Sequence, residues 1–171
     1  LYAGVSAGAD IILIPEIPFR CEAVCEVVRE RAGKGKRFSL VAIAEGAHEA
    51  GSKQVVRKMD KTNPYPVKLG GIGKHLEEKI QKMTKIETRA AVLGHIQRGG
   101  SPSPYDRNLG TMFGVHAVEL LAQGRCNRMV RLAGHDISSI LLKDVAGKIR
   151  KVPLNYPLLK SAKAVGTSFG I

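Results

Sequence analysis

Residues 11–16 read IILIPE: four consecutive aliphatic side chains, three of them isoleucine, stopped by Pro15. A strand with one face in water alternates apolar and polar residues. A short unbroken apolar run closed by proline instead suits a strand covered on both faces. Covered strands lie in sheets whose connections are helices, and the flanking sequence supplies them. Before the run, residues 1–9 (LYAGVSAGA) read as the tail of a small-residue helix. After it, residues 19–32 place Ala23, Val24, Val27 and Val28 at helical spacing and stop at Gly33. Residues 38–44 (FSLVAIA) form a second covered run, ending in Glu45 and Gly46. This alternation predicts an α/β fold, a mainly parallel sheet flanked by helices, with ligands beyond the carboxyl ends of the strands.

The rest of the chain extends the pattern. Residues 46–66 lack periodicity and contain two prolines, which predicts a long loop. Leu76 and Ile80, one turn apart, mark a helix over 70–83. A third strand is expected over 88–93 and a fourth over 129–132. Ser103, Pro104 and Asp106 spell a helix start: a hydroxyl at the N-cap, proline at N1 and a carboxylate at the positive end of the dipole. That helix is expected to run to Gly124. A hairpin within 140–152 and a short helix near 157–164 complete the reading.

Composition narrows the class. Lys and Arg number 27 against 15 Asp and Glu, a net charge of +12 that attracts polyanions. Nucleic-acid binders cluster basic residues among aromatics, whereas here aromatics make up 5%, tryptophan is absent and the basic residues are dispersed. The densest group, Lys34, Lys36 and Arg37, sits at a helix-to-strand corner. Nucleic acid is therefore not expected as a partner. No apolar run reaches membrane-spanning length, so no membrane association is expected. Three cysteines (Cys21, Cys25, Cys126) are too few and too odd for a disulfide framework. Cys21 and Cys25 suit one helical face better than a metal site, and reduced thiols point to the cytoplasm.

Two apparent motifs fail. Gly4-x-Ser6-x-Gly8 has the pattern of a nucleophile elbow, which needs a strand before the serine and a helix after it; here the order is reversed. Gly73 and Lys74 resemble a phosphate loop, but Lys68 and His75 stand where glycine and a hydroxyl are required.

The stretch after residue 93 is richer than a connection needs. Gly94, Gly99, Gly100, Pro102 and Pro104 shape the backbone around His95, Gln97 and Arg98. Arginine brings a permanent charge and a fork of N–H donors suited to phosphate; histidine adds a donor tunable near neutral pH. The competing reading pairs Arg98 with Asp106. Arg89 shares strand parity with His95, but six residues of regular strand put them about 20 Å apart. They could not grip one phosphate together, so Arg89 is either a structural charge or serves another site, such as a neighbouring chain's.

ETRAAVLGHIQRGGSPSPYDR (87–107) resembles the sugar-phosphate-binding segment of 6-phosphofructokinases, as do IILIPE (11–16), GKGKRFSLVAIAEG (33–46) and VPLNYPLLKSAKAVGTSFG (152–170). LGGIGKHLEEKI (69–80) and that tail look closest to the branch holding pyrophosphate-dependent enzymes and their ATP-using relatives. The resemblance implies phosphoryl transfer to the 1-hydroxyl of fructose 6-phosphate. It implies substrate contacts from His95, on the 6-phosphate, from Gln97 and Arg98, and from Glu45, on a sugar hydroxyl. Arg89 would reach the adjacent subunit's site in a homo-oligomer, a dimer or tetramer. In allosteric members Glu16, Lys34, Lys36 and Arg37 match a site for phosphorylated effectors. The donor, ATP or pyrophosphate with Mg2+, and the catalytic base belong to a half expected upstream of Leu1. Residues 1–171 are then the sugar-phosphate half of a two-domain chain, with no catalytic residue or metal ligand expected and no turnover in isolation. A non-catalytic subunit of the same fold and a basic nucleic-acid-binding domain are the alternatives.

Overall fold

The computed structural model describes residues 1–52, 56–59, 67–69 and 71–171, with the two short segments and Arg98 described through their backbone alone. They form two compact units, Leu1–Val92 with Lys151–Ile171, and Leu93–Arg150.

In the first unit, helix α1 (Tyr2–Ser6) leads into strand β1 (Ile11–Leu13), helix α2 (Cys21–Gly33) and strand β2 (Val41–Ile43). β1 and β2 pair in parallel, Ile11 with Val41 and Leu13 with Ile43. Ile11, Ile12 and Leu13 are at most 1% exposed, as the unbroken apolar run predicts. Their side chains alternate between two cores because successive residues of a strand face opposite ways. Ile11 and Leu13 pack with Phe19, Val24 and Val28. Ile12 and Ile14 pack on the other side with Ala9 and Phe169. Gly4 of α1 lets that helix lie against the pair: a Cβ there would come within 2.8 Å of Ile12.

The second strand is shorter and less covered than expected. Phe38 is 75% exposed, and only residues 41–43 join the ladder. Asp10 explains where the ladder starts, because its carboxylate takes the Leu40 N–H at 2.8 Å in place of a strand partner. The loop expected over 46–66 also needs correction. It contains strand β3 (Val56–Met59), paired antiparallel with β4 (Val67–Leu69) through a register shift. VVRKM lacks the alternation that marks a strand, so only the pairing reveals it. Residues 53–55 and 60–66 lie outside the described residues. Helix α3 (Ile72–Thr84) buries Ile72, Leu76 and Ile80 against the α2 side of β1, as its spacing predicts.

The third strand is absent. Residues 85–93 make no ladder, and the Ala90 N–H donates instead to the Glu77 carboxylate at 2.9 Å. An apolar run shows that a segment can be a strand. It becomes one only beside a partner, and none lies there among the described residues.

The second unit opens with a 3-10 turn (Gly94–Arg98) and helix α4 (Pro104–Ala122), whose N-cap is Ser103. Strands β5 (Arg128–Ala133) and β6 (Asp136–Leu141) follow, and α4 lies against them. They pair antiparallel from Arg128 with Leu141 to Ala133 with Asp136, leaving Gly134 and His135 as a two-residue turn. The expected fourth strand is therefore one arm of a hairpin, and the hairpin lies at 128–141 instead of 140–152. A two-residue connection can join only antiparallel neighbours. The short helix α5 (Leu142–Val145) occupies the start of the expected hairpin.

The chain returns to the first unit with helix α6 (Pro157–Ala164), the short helix expected there, with proline at N1. Its Leu159 and Ala162 join the core of Ile12 and Ile14. The fold is α/β, a parallel pair with α2 and α3 on one face and α1 and α6 on the other. Among the described residues, the other two strand pairs are antiparallel.

Candidate functional site

The turn at 94–98 is built from backbone shape. Gly94 takes φ +45 and Gly100 φ +86, conformations that disfavour side chains. The Ile96 N–H donates to the Leu93 carbonyl at 2.9 Å, and Gly99 N–H to the Ile96 carbonyl at 3.1 Å. A 3-10 turn has three residues per revolution, so positions 95 and 98 fall on one edge and position 97 on another. The sequence spacing predicts the three residues' proximity; the turn type determines which two align. His95 and Gln97 are exposed.

The next turn is locked by Ser103 and Asp106. Ser103 Oγ accepts from the Asp106 N–H at 3.2 Å, while the Asp106 carboxylate accepts from the Ser103 N–H at 2.9 Å. Hydrogen bonds from the Ser103 side chain and backbone hold the Asp106 carboxyl below the usual aspartate range. Asp106 is thus engaged by Ser103, the helix-start role its position indicates.

Glu45 and Arg89 belong to the other unit. Glu45 is exposed just beyond β2, where an α/β site is expected. Arg89 pairs with Glu87 through Nε at 2.9 Å and Nη2 at 2.7 Å, the two side chains 88% and 73% exposed. Because residues 88–93 form no strand, regular strand parity and rise do not relate Arg89 to His95. Sequence reading missed Glu77, which ties this segment to α3. It accepts from Lys74 at 2.6 Å as well as from Ala90. Those hydrogen bonds, Lys74's first, lower the Glu77 carboxyl, and the same pairing raises Lys74.

The four residues of the expected effector site separate. Glu16 Oε1 accepts from the Val152 N–H at 3.0 Å, and its buried Oε2 has no partner among the described residues. Lys34 pairs with Glu30 one turn back. Lys34 and Lys36 line a cleft of about 570 Å³ together with Asp10 and Arg31, but Glu16 and Arg37 are not on its wall. Among the described residues, no three His, Cys, Asp or Glu converge to hold a metal. The described side chains therefore do not fit a magnesium site, and none of the roles below runs through that ion. No helix among the described residues is long and apolar enough to cross a membrane.

Comparison with known proteins agrees with this fold. The chain is 45% identical to an ATP-dependent 6-phosphofructokinase of Spirochaeta thermophila, over 99% of this chain and 46% of that protein. It is 42% identical to ATP-dependent 6-phosphofructokinase 3 of Bacteroides thetaiotaomicron, with the same two shares, 99% and 46%. The chain thus spans about half the length of the curated relatives it matches. Among solved structures, phosphofructokinase from Saccharomyces cerevisiae superposes with a TM-score of 0.63 at 25% identity, covering 95% of this chain and 19% of that one. Pyrophosphate-dependent phosphofructokinase from Marinobacter aquaeolei gives a TM-score of 0.64 at 22% identity, covering 86% and 35%. The sequence profile of the phosphofructokinase family matches residues 1–121. With that match over more than two thirds of its residues, the chain belongs to the phosphofructokinase family.

Proposed function

We propose that the intact protein transfers the terminal phosphoryl group of ATP to the 1-hydroxyl of fructose 6-phosphate, and that this chain supplies the acceptor-binding half. The observation that carries the proposal is the turn at 94–98. It aligns positions 95 and 98 on one edge, where an imidazole and a guanidinium can meet one phosphate. ATP is favoured as donor because the curated relatives named ATP-dependent match at 42–45% identity.

In this reading His95 and Arg98 hold the 6-phosphate, Gln97 and Glu45 hydrogen-bond the sugar, and the chemistry is positioning more than covalent work. Arg89 enters a neighbouring protomer's site in a homo-oligomer. Its ion pair with Glu87 is exposed, and such pairs contribute little, so a doubly charged phosphate can displace the carboxylate. Lys34 and Lys36, sharing one cleft, are the part of the effector set best placed to attract a phosphorylated regulator. The protein works in the cytoplasm.

Two measurements test the proposal. Formation of fructose 1,6-bisphosphate is assayed with ATP and with pyrophosphate, and ATP should support it. Turnover with pyrophosphate alone would overturn the donor assignment. Binding of fructose 6-phosphate without turnover on either donor would mark a non-catalytic subunit. Titration with duplex DNA at two salt concentrations should show no specific binding; tight association falling steeply with salt would favour the nucleic-acid reading.

A further inference from the structure

Cys21 and Cys25 are four residues apart on α2 and face α3, where the Met83 thioether lies 3.9 Å from each thiol sulfur. Both thiols thus meet one thioether within the core, Cys21 and Cys25 1% and 0% exposed and Met83 at its partly open edge. A trigonal metal with metal–sulfur bonds of about 2.3 Å needs ligand sulfurs about 4 Å apart. Both thiol–thioether spacings match that edge.

We propose that Cys21, Cys25 and Met83 form a three-sulfur site for a soft monovalent cation of the copper(I) class. Two thiolates and a thioether are the donors that select copper(I) over harder ions. The set contains no oxygen donor that would favour magnesium or calcium.

The surrounding residues hold the third ligand in place. Arg29 Nη2 donates to the Met83 carbonyl at 2.7 Å, pinning the last turn of α3 to α2. Lys79 of α3 pairs with Glu49 at 2.5 Å on the Cys21 side. Binding involves no electron transfer: each thiol exchanges its S–H bond for a sulfur–metal bond, and the proton leaves to solvent.

Burial pushes the Cys21 thiol up to about 12 and raises Cys25 as well. Around Cys25, the Cys21 thiol and Arg29 favour the thiolate, while Glu22 and Glu26 oppose it. Around Cys21, Glu49 opposes the thiolate and Lys79 favours it. Each thiol gives up its proton to bind the metal, so affinity should rise with pH. This inference is independent of the phosphoryl-transfer proposal.

The test is an anaerobic titration of the reduced, intact protein with copper(I) supplied as its acetonitrile complex, against a bicinchoninate competitor. One ion per chain should bind, with sulfur-to-copper charge-transfer absorption and three sulfur neighbours in X-ray absorption. Cys21→Ser and Cys25→Ser should abolish binding, and Cys126→Ser should leave it intact. Either serine variant could unfold, so Met83→Leu, which conserves volume, decides the matter. Losing even an outer-shell partner costs on the order of tenfold in affinity, so losing a direct ligand should cost at least that. Unchanged affinity in Met83→Leu, two sulfur neighbours only, or binding that disappears with Cys126→Ser would overturn the site.

Discussion

Ser103 and Asp106 satisfy each other's backbone N–H groups, at 3.2 Å and 2.9 Å, and so fix where α4 begins, directly after the candidate phosphate turn. Ser103→Ala should destabilise the helix start by about 1 kcal/mol, the usual loss for an N-cap hydroxyl. The effect has a pH signature. Asp106 is held below its unfolded value, so the stability it contributes is present above that value and lost as pH falls through the folded one. Thermal melts of wild type and Ser103→Ala should therefore draw closer on the acid side of the carboxylate range, where the Ser103 hydroxyl no longer meets a charged carboxylate and only its bond from the Asp106 N–H remains. A gap that did not narrow in acid would show that the Asp106 carboxylate contributes nothing through the Ser103 hydroxyl.

Arg98→Ala in the intact protein should reduce kcat/KM for fructose 6-phosphate by about 2–4 kcal/mol, the range for removing one partner of a buried charged contact. Steady-state kinetics decides this. Wild-type kinetics would remove Arg98 from the site.

Arg89 can be tested by complementation. Arg89→Ala subunits mixed with His95→Ala subunits should recover activity neither variant has alone, because some mixed sites keep both residues. No recovery in any mixture, with hybrid oligomers verified, would mean that Arg89 does not act across the interface.

Gly170→Ala should be among the most damaging single-atom changes. Its φ is +69, and an added Cβ would lie 2.8 Å from Phe19 Cβ and 3.0 Å from Leu13. Overpacking costs about 1–3 kcal/mol and the left-handed backbone about 1–2 more. Chemical denaturation should report the sum.

Leu76→Ala and Leu159→Ala remove side chains from opposite faces of β1. Each should cost about 2–5 kcal/mol, and the two should add because they share no core. A clear excess in the double variant would mean that β1 transmits strain between its faces.

The local features were readable before any fold was known. The unbroken run at 11–14, the helical spacing of Leu76 and Ile80, and the Ser103 cap with proline at 104 depend on residues within a turn of each other. Each carries its physical signal in a few neighbouring side chains. The spacing of His95, Gln97 and Arg98 is local in the same way, while the 3-10 turn sets positions 95 and 98 on one edge and 97 on another.

Pairing was not readable. Residues 88–93 have the composition of a strand and residues 55–59 do not, yet β3 is a strand and 88–93 is none. A ladder needs hydrogen bonds from a distant partner, and Ala90 found a side-chain carboxylate instead. The meeting of Cys21 and Cys25 with Met83, some 60 residues later, likewise arose from the packing of α2 on α3. Sequence alone marked the helices and the covered strand at 11–14, and the family they resemble, because those signals are local and chemical. Tertiary structure decided what each segment pairs with and which side chains meet, because a backbone N–H or a sulfur is satisfied by whatever the fold brings within reach.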